Sequence, residues 1–119
     1  NDTTTGTGQR AENLAAGYLE QRGLPVLTRN YRCRGGEIDL ICRDRKTLVF
    51  VEVRLRRNSG FGGAAASITP GKQRRIVLAA QHYLMTQGQG DCDCRFDCVL
   101  LDAMNEGHIE WIRDAFSAD

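Results

Sequence analysis

Two short runs carry the residues that could do chemistry. Gly36-Glu37-Ile38-Asp39-Leu40-Ile41-Cys42 and Leu48-Val49-Phe50-Val51-Glu52-Val53-Arg54 are apolar enough to lie inside a sheet, yet they hold Glu37, Asp39 and Glu52. An ionised carboxylate is costly to bury unless a cation or hydrogen-bond donors compensate it. Side chains alternate along a strand, so Glu37 and Asp39 share a face, as do Glu52 and Arg54. If the two strands pair, three carboxylates and one guanidinium converge. Such a cluster suits a hard divalent cation, Mg²⁺ or Mn²⁺, which takes oxygen ligands and retains several waters. The same spacing also fits an ion-pair network on an exposed sheet face.

The surrounding elements must position these groups. The turn Arg43-Asp44-Arg45-Lys46-Thr47 joins the two strands. Ahead of them, Ala11, Leu14, Ala15, Tyr18 and Leu19 form a helical stripe over Gly8–Arg22, with Thr7 as its cap and Gly23 and Pro25 as its end. Glu12 lies at the edge of that stripe, able to point along the sheet, although a first-turn glutamate is also favoured by the helix dipole alone. Val26–Tyr31 reads as an edge strand, with Arg29, Arg32 and Arg34 projecting from it and from the turn at Gly35-Gly36. After a glycine-rich loop around Phe61, Thr69-Pro70 opens a second helix that runs to about Thr86 and stops at Gly88. Lys72 falls on its apolar stripe with Ile76, Ala79, Ala80, Tyr83 and Leu84, so it needs an anionic partner. Gln73 sits at the stripe's edge, and Arg74 and Arg75 face away. Cys94–Leu101 is a strand apolar on both faces, and Gly107 turns the chain into a last strand, His108–Ile112. The order α-β-β-β-α-β-β is that of an α/β (α+β mixed) domain, a mixed central sheet flanked by helices.

The ordered set Gly8-Gln9-Arg10-Ala11-Glu12, GEIDLI, VFVEVR, Gly62-Gly63-Ala64-Ala65-Ala66-Ser67, Pro70-Gly71-Lys72-Gln73, Cys94-Arg95-Phe96-Asp97 and Trp111–Phe116 resembles the YraN-type family of small bacterial proteins. That family is assigned to the PD-(D/E)xK nuclease superfamily, beside the archaeal Holliday-junction resolvases. The resemblance implies a restriction-endonuclease-like core and a Mg²⁺-dependent endonuclease acting on DNA, in particular branched or junction DNA. It implies Asp39 and Glu52 as metal ligands, with Glu12 joining directly or through water, and Arg54 where the superfamily motif has lysine. Arginine stays protonated, so Arg54 can stabilise developing negative charge but can hardly act as a base. Lys72 is the candidate for the missing ammonium; Gln73 is secondary, and so is Glu37, which either adds a ligand or only binds a neighbouring arginine. Resolvase-like folds often work as homodimers, which makes a dimer a possible state here.

Charge distribution agrees with a phosphate-backbone partner. Residues 29–75 carry twelve Lys or Arg against four Asp or Glu, whereas residues 76–119 carry two against eight, so a net charge of +1 conceals a basic middle and an acidic end. Arg34, Arg56, Arg57, Arg74 and Arg75 are the candidate nucleic-acid contacts. A non-catalytic nucleic-acid-binding or scaffolding protein would show the same charge, as would a protein-interaction module with a dipolar surface. The five cysteines lack paired zinc-ligand spacing and read as reduced thiols. No apolar run approaches membrane-spanning length, and Asn1–Thr7 lacks a signal-peptide pattern. The expectation is a cytoplasmic protein without membrane partners: a flexible tail over residues 1–7, then a single domain over 8–119.

Overall fold

A computed structural model describes residues 2–56, 68–88, 92–102 and 105–118, with side chains for all of these except 2–8, 56 and 105–107. The elements follow the order α1 (Asp2–Gln21), β1 (Val26–Cys33), β2 (Gly36–Asp44), β3 (Thr47–Arg56), α2 (Pro70–Thr86), β4 (Cys94–Asp102) and β5 (Asn105–Phe116). This is the expected sequence of elements, with two differences of extent. Helix α1 begins at Asp2, so it takes in Thr7, which the pattern had placed at the cap. Residues 2–7 carry no apolar stripe and so gave no periodic signal. The last strand runs from Asn105 to Phe116 rather than from His108 to Ile112, because edge pairing continues past its apolar stretch.

The five strands lie in sequence order across one sheet. Neighbours pair antiparallel except β3 and β4, which are parallel from Leu48↔Cys94 to Arg56↔Asp102. A parallel pair needs a crossover, and α2 lies within it. The central strands are therefore covered on both faces, which explains why β3 and β4 read as nearly continuous apolar runs. Against one face α2 packs Ile76, Ala79, Ala80 and Tyr83 onto Ile38, Ile41, Phe50, Phe96 and Leu100. Against the other, α1 packs Ala11, Ala15, Ala16 and Leu19 onto Leu40, Cys42, Val49, Val51, Val99 and Leu101.

Helix ends fix where the functional side chains start. α1 closes in a Schellman arrangement: the Gly23 N–H donates to Glu20 O (3.1 Å), the Leu24 N–H donates to Leu19 O (3.0 Å), and Gly23 has φ +89. At the start of α2 the Thr69 hydroxyl accepts from the Lys72 N–H at 3.2 Å, and Pro70 occupies the first helical position. Gly36 seats α2 on the sheet. A Cβ there would come within 2.3 Å of the Arg75 carbonyl oxygen, so the helix backbone rests on the start of β2 where no larger residue fits.

Candidate active site

The site forms where two strands part. Pairing between β2 and β3 runs from Asp44↔Thr47 up to Leu40↔Val51, while β3 stays paired with β4 as far as Arg56. Beyond Val51 the Asp39 side chain, rather than a β2 backbone group, meets β3: its Oδ2 accepts from the Val53 N–H at 2.8 Å. Continuing the same register places Asp39 beside Glu52.

On the other side of β2, the pairs Arg29↔Leu40 and Tyr31↔Ile38 flank Asn30 and Asp39. Asn30 adopts φ +53, a left-handed conformation that asparagine tolerates better than most residues. The alternation of β2 slips here, since Ile38 and Ile41, three residues apart, both face α2 while Leu40 and Cys42 face α1. Irregularities of this kind re-aim side chains beside functional sites.

Glu52 is 3% exposed, and Glu12 of α1 is 8% exposed. Burial raises the pKa of Glu52, the Asp39 charge and side-chain contact raise it further, and Lys72 pulls it back; the outcome is about 7. Glu12 is also raised, first by burial and then by Asp39, against the Asn30 hydrogen bond and the charges of Arg29 and Arg32. Asp39 is thus the common neighbour of the two glutamates. The Glu12 Oε1 accepts from Asn30 Nδ2 at 2.9 Å, so the α1 glutamate is braced by the left-handed asparagine.

Two cations close on Glu52. Lys72 Nζ lies 2.9 Å from Oε2, and an Arg54 guanidinium nitrogen lies 3.7 Å from the same atom. That oxygen has no hydrogen-bond partner of acceptable angle despite the ammonium's proximity, so charge rather than a directed hydrogen bond holds the pair. Lys72 stands in the first turn of α2, where the positive end of the helix dipole disfavours a cation by roughly 0.3–1 kcal/mol. Its place there follows from Glu52, not from helix preference.

A profile of the family described as "Uncharacterised protein family UPF0102" matches residues 11–101. The chain belongs to the UPF0102 family. It is 67% identical over 119 residues to a UPF0102 protein of Dechloromonas aromatica, covering 100% of this chain and 95% of the relative. It is 56% identical over 109 residues to UPF0102 protein NE0719 of Nitrosomonas europaea, covering 92% of each. It is 53% identical over 111 residues to a UPF0102 protein of Methylobacillus flagellatus, covering 93% and 96% respectively.

Within this UPF0102 chain, Asp39, Glu52, Arg54, Lys72 and Glu12 gather at the strand fork, whereas other candidates fall elsewhere. Glu37 is exposed and pairs with exposed Arg32 at 3.6 Å, the arginine-binding role rather than that of a ligand beside the other carboxylates. Gln73 donates from Nε2 to Ile68 O at 3.0 Å and ties the segment entering α2 to its first turn. Arg74 is exposed; Arg75 is also exposed but lines a cavity of about 480 Å³ with Arg32, Glu37 and Lys72, beside the fork. Arg34 is exposed at the β1–β2 turn. Arg56 ends β3 with its side chain outside the described residues, and Arg57 and the glycine-rich loop with Phe61 lie wholly outside them.

The Glu12, Asp39 and Glu52 carboxylates do not close into a cage: among the described residues no three His, Cys, Asp or Glu side chains lie close enough to hold an ion together. A cation that binds through one or two carboxylates and keeps its waters needs no cage. Asp39 and Glu52 are the residues that could hold such an ion.

Sequence reasoning missed the Asn30 brace and the Val53 N–H. Asparagine's tolerance for positive φ was the available signal for the first; the second depends on where two strands separate, which no local pattern records.

Proposed function

We propose that this protein is a divalent-metal-dependent nuclease that hydrolyses phosphodiester bonds in DNA. The observation that carries the reading is the pairing of Asp39 and Glu52 at the fork, with the Lys72 ammonium 2.9 Å from Glu52 Oε2. A Mg²⁺ or Mn²⁺ ion held by Asp39 and Glu52 would polarise the phosphodiester and activate water for attack. Around it, Lys72 supplies positive charge toward the reacting phosphate, and Arg54, permanently protonated, holds negative charge as it develops. Glu12, braced by Asn30, sets the acidic wall behind Asp39. Arg75 and Arg32 flank the approach and suit the neighbouring backbone phosphates.

Incubation with duplex, single-stranded and branched DNA, with Mg²⁺ or Mn²⁺ and with chelator, tests this reading. Cleavage that requires metal and is abolished in Asp39→Ala and Glu52→Ala is expected. Melting offers a second readout: metal should stabilise the wild type and leave Asp39→Ala unmoved. A Lys72→Ala variant with full activity would remove Lys72 from the machinery.

One observation favours a second reading, a nucleic-acid-binding protein without turnover. The buried Glu52 oxygen already faces two internal cations, Lys72 and Arg54, so the fork is electrostatically supported without an ion. Salt-sensitive DNA binding that Asp39→Ala leaves intact, with no products under any metal, is the outcome that decides for it.

A further inference from the structure

The opposite end of the sheet carries a second concentration of positive charge. A cavity of about 590 Å³ there is lined by Arg22 at the end of α1, Asp44, Arg45 and Lys46 at the β2–β3 turn, and Arg113 of β5. Four cations from three separate parts of the chain face one space. Asp44, the carboxylate among them, is already engaged by Arg95 at 2.8 Å. No ion pair joins Arg22, Arg45, Lys46 or Arg113 to a carboxylate among the described residues. Instead Arg22 lies 3.5 Å over the Tyr18 ring and Arg113 lies 4.2 Å over the Trp111 ring. Stacking fixes a guanidinium plane while leaving most of its N–H donors free at the edges. Arg45 has φ +59, a conformation a hairpin usually gives to glycine or asparagine, yet here it carries a long cation into the cavity.

We propose that this cavity binds the phosphodiester backbone of a nucleic acid, as a second contact remote from the carboxylate fork. The choice of nucleic acid rests on the proposed nuclease reading; the affinity for phosphate does not. Five residues of β2 separate Asp39 from Asp44, roughly 17 Å along the strand. That is about half a helical turn of B-form DNA. One duplex, or the second arm of a branched one, can therefore touch both ends of the sheet. An anionic membrane is the other polyanion of concern, but adsorption to one is strengthened by exposed apolar residues among the cations. Leu24, the apolar residue in this lining, is 2% exposed.

The test measures duplex DNA binding by the full chain in chelator, so that no cleavage intrudes. Lys46→Ala/Arg113→Ala is compared with wild type across a salt series. Each lost phosphate contact lowers the slope of log K against log salt by about 0.9, so a drop of roughly two is expected, with affinity falling at least tenfold at low salt. Both side chains are exposed, and coincident thermal melts would establish that the variant is folded. An unchanged slope and affinity overturn the proposal. So does an unchanged slope accompanied by loss of binding to phosphatidylserine vesicles, which would assign the surface to membranes. A reduced slope in a protein that never cleaves DNA supports this site while removing the nuclease reading, so the two failures are separable.

Discussion

Glu52 is held in opposition to its surroundings: buried, next to Asp39, and offset by one ammonium. Its pKa is near 7 in the fold against an ordinary 4.5, so between these values the native state binds the proton more tightly than the unfolded chain. Stability should therefore fall as pH rises from about 4.5 to 7, and should be fully reduced above that. Glu52→Gln removes the ionisation. We expect its unfolding free energy in urea to decline less over that interval, by roughly 2 kcal/mol. Equal slopes for variant and wild type would show that Glu52 is ionised throughout. The cysteines offer a simpler contrast. Burial pushes the Cys42 and Cys98 thiols up to about 12, whereas Cys33 and Cys92 are partly exposed and Cys94 is exposed. A thiol reagent at pH 8 should label the latter three in the native protein and reach Cys42 and Cys98 only on unfolding.

Among the elements, β2 decides most. Its pairing with β3 was legible because two apolar runs flank a short turn, and the partnership of Asp39 with Glu52 follows from the same register. Lys72 was legible as well, since a lysine on an apolar helical stripe demands a counter-charge. Of the two roles left open for Glu37, the fold takes the ion pair with neighbouring Arg32, and the face alternation of β2 slips at Asp39, opposite left-handed Asn30. That slip arises from how β1, β2 and α1 meet, and no window of sequence contains it. The seat of α2 is equally tertiary. Gly36→Ala would drive a methyl to 2.3 Å from the Arg75 carbonyl and lift the helix from the sheet. We expect a loss of about 2–3 kcal/mol in chemical denaturation, with any metal-dependent activity falling further because Lys72 moves away from Glu52. Normal stability in that variant would contradict the tight seating.

At the level of the whole molecule, a third buried carboxylate secures the far side of the sheet. Asp97 is 0% exposed and accepts from Arg95 Nε (3.1 Å), Trp111 Nε1 (2.9 Å) and the Asp114 N–H (2.9 Å). Arg95 continues to Asp44, so β2, β4 and β5 are linked through side chains as well as through the ladder. Arg95 and Asp97 are two residues apart on one strand, whereas the indole and the left-handed Asp114 belong to β5, which meets β4 only in the fold. Asp97→Ala takes one of the two carboxylate partners of Arg95 and the acceptor of the Trp111 and Asp114 donors, and should cost about 3–5 kcal/mol, with a changed Trp111 emission spectrum before global unfolding. This network lies beside the cationic cavity at the β2–β3 turn, so on the proposed second contact its loss should weaken nucleic-acid binding there while leaving the fork's carboxylates in place. Among the described residues no helix is long and apolar enough to cross a membrane.

The Val53 amide donates to a carboxylate oxygen where a strand neighbour would ordinarily supply a carbonyl. An acid group recruited by an incoming cation must share its lone pairs, and a backbone proton tied to it feels that competition directly. If the proposed ion binds at Asp39, solvent exchange at this single peptide position is a gauge of its occupancy. It should change when Mn²⁺ or Mg²⁺ is added, even in a protein whose substrate has never been supplied.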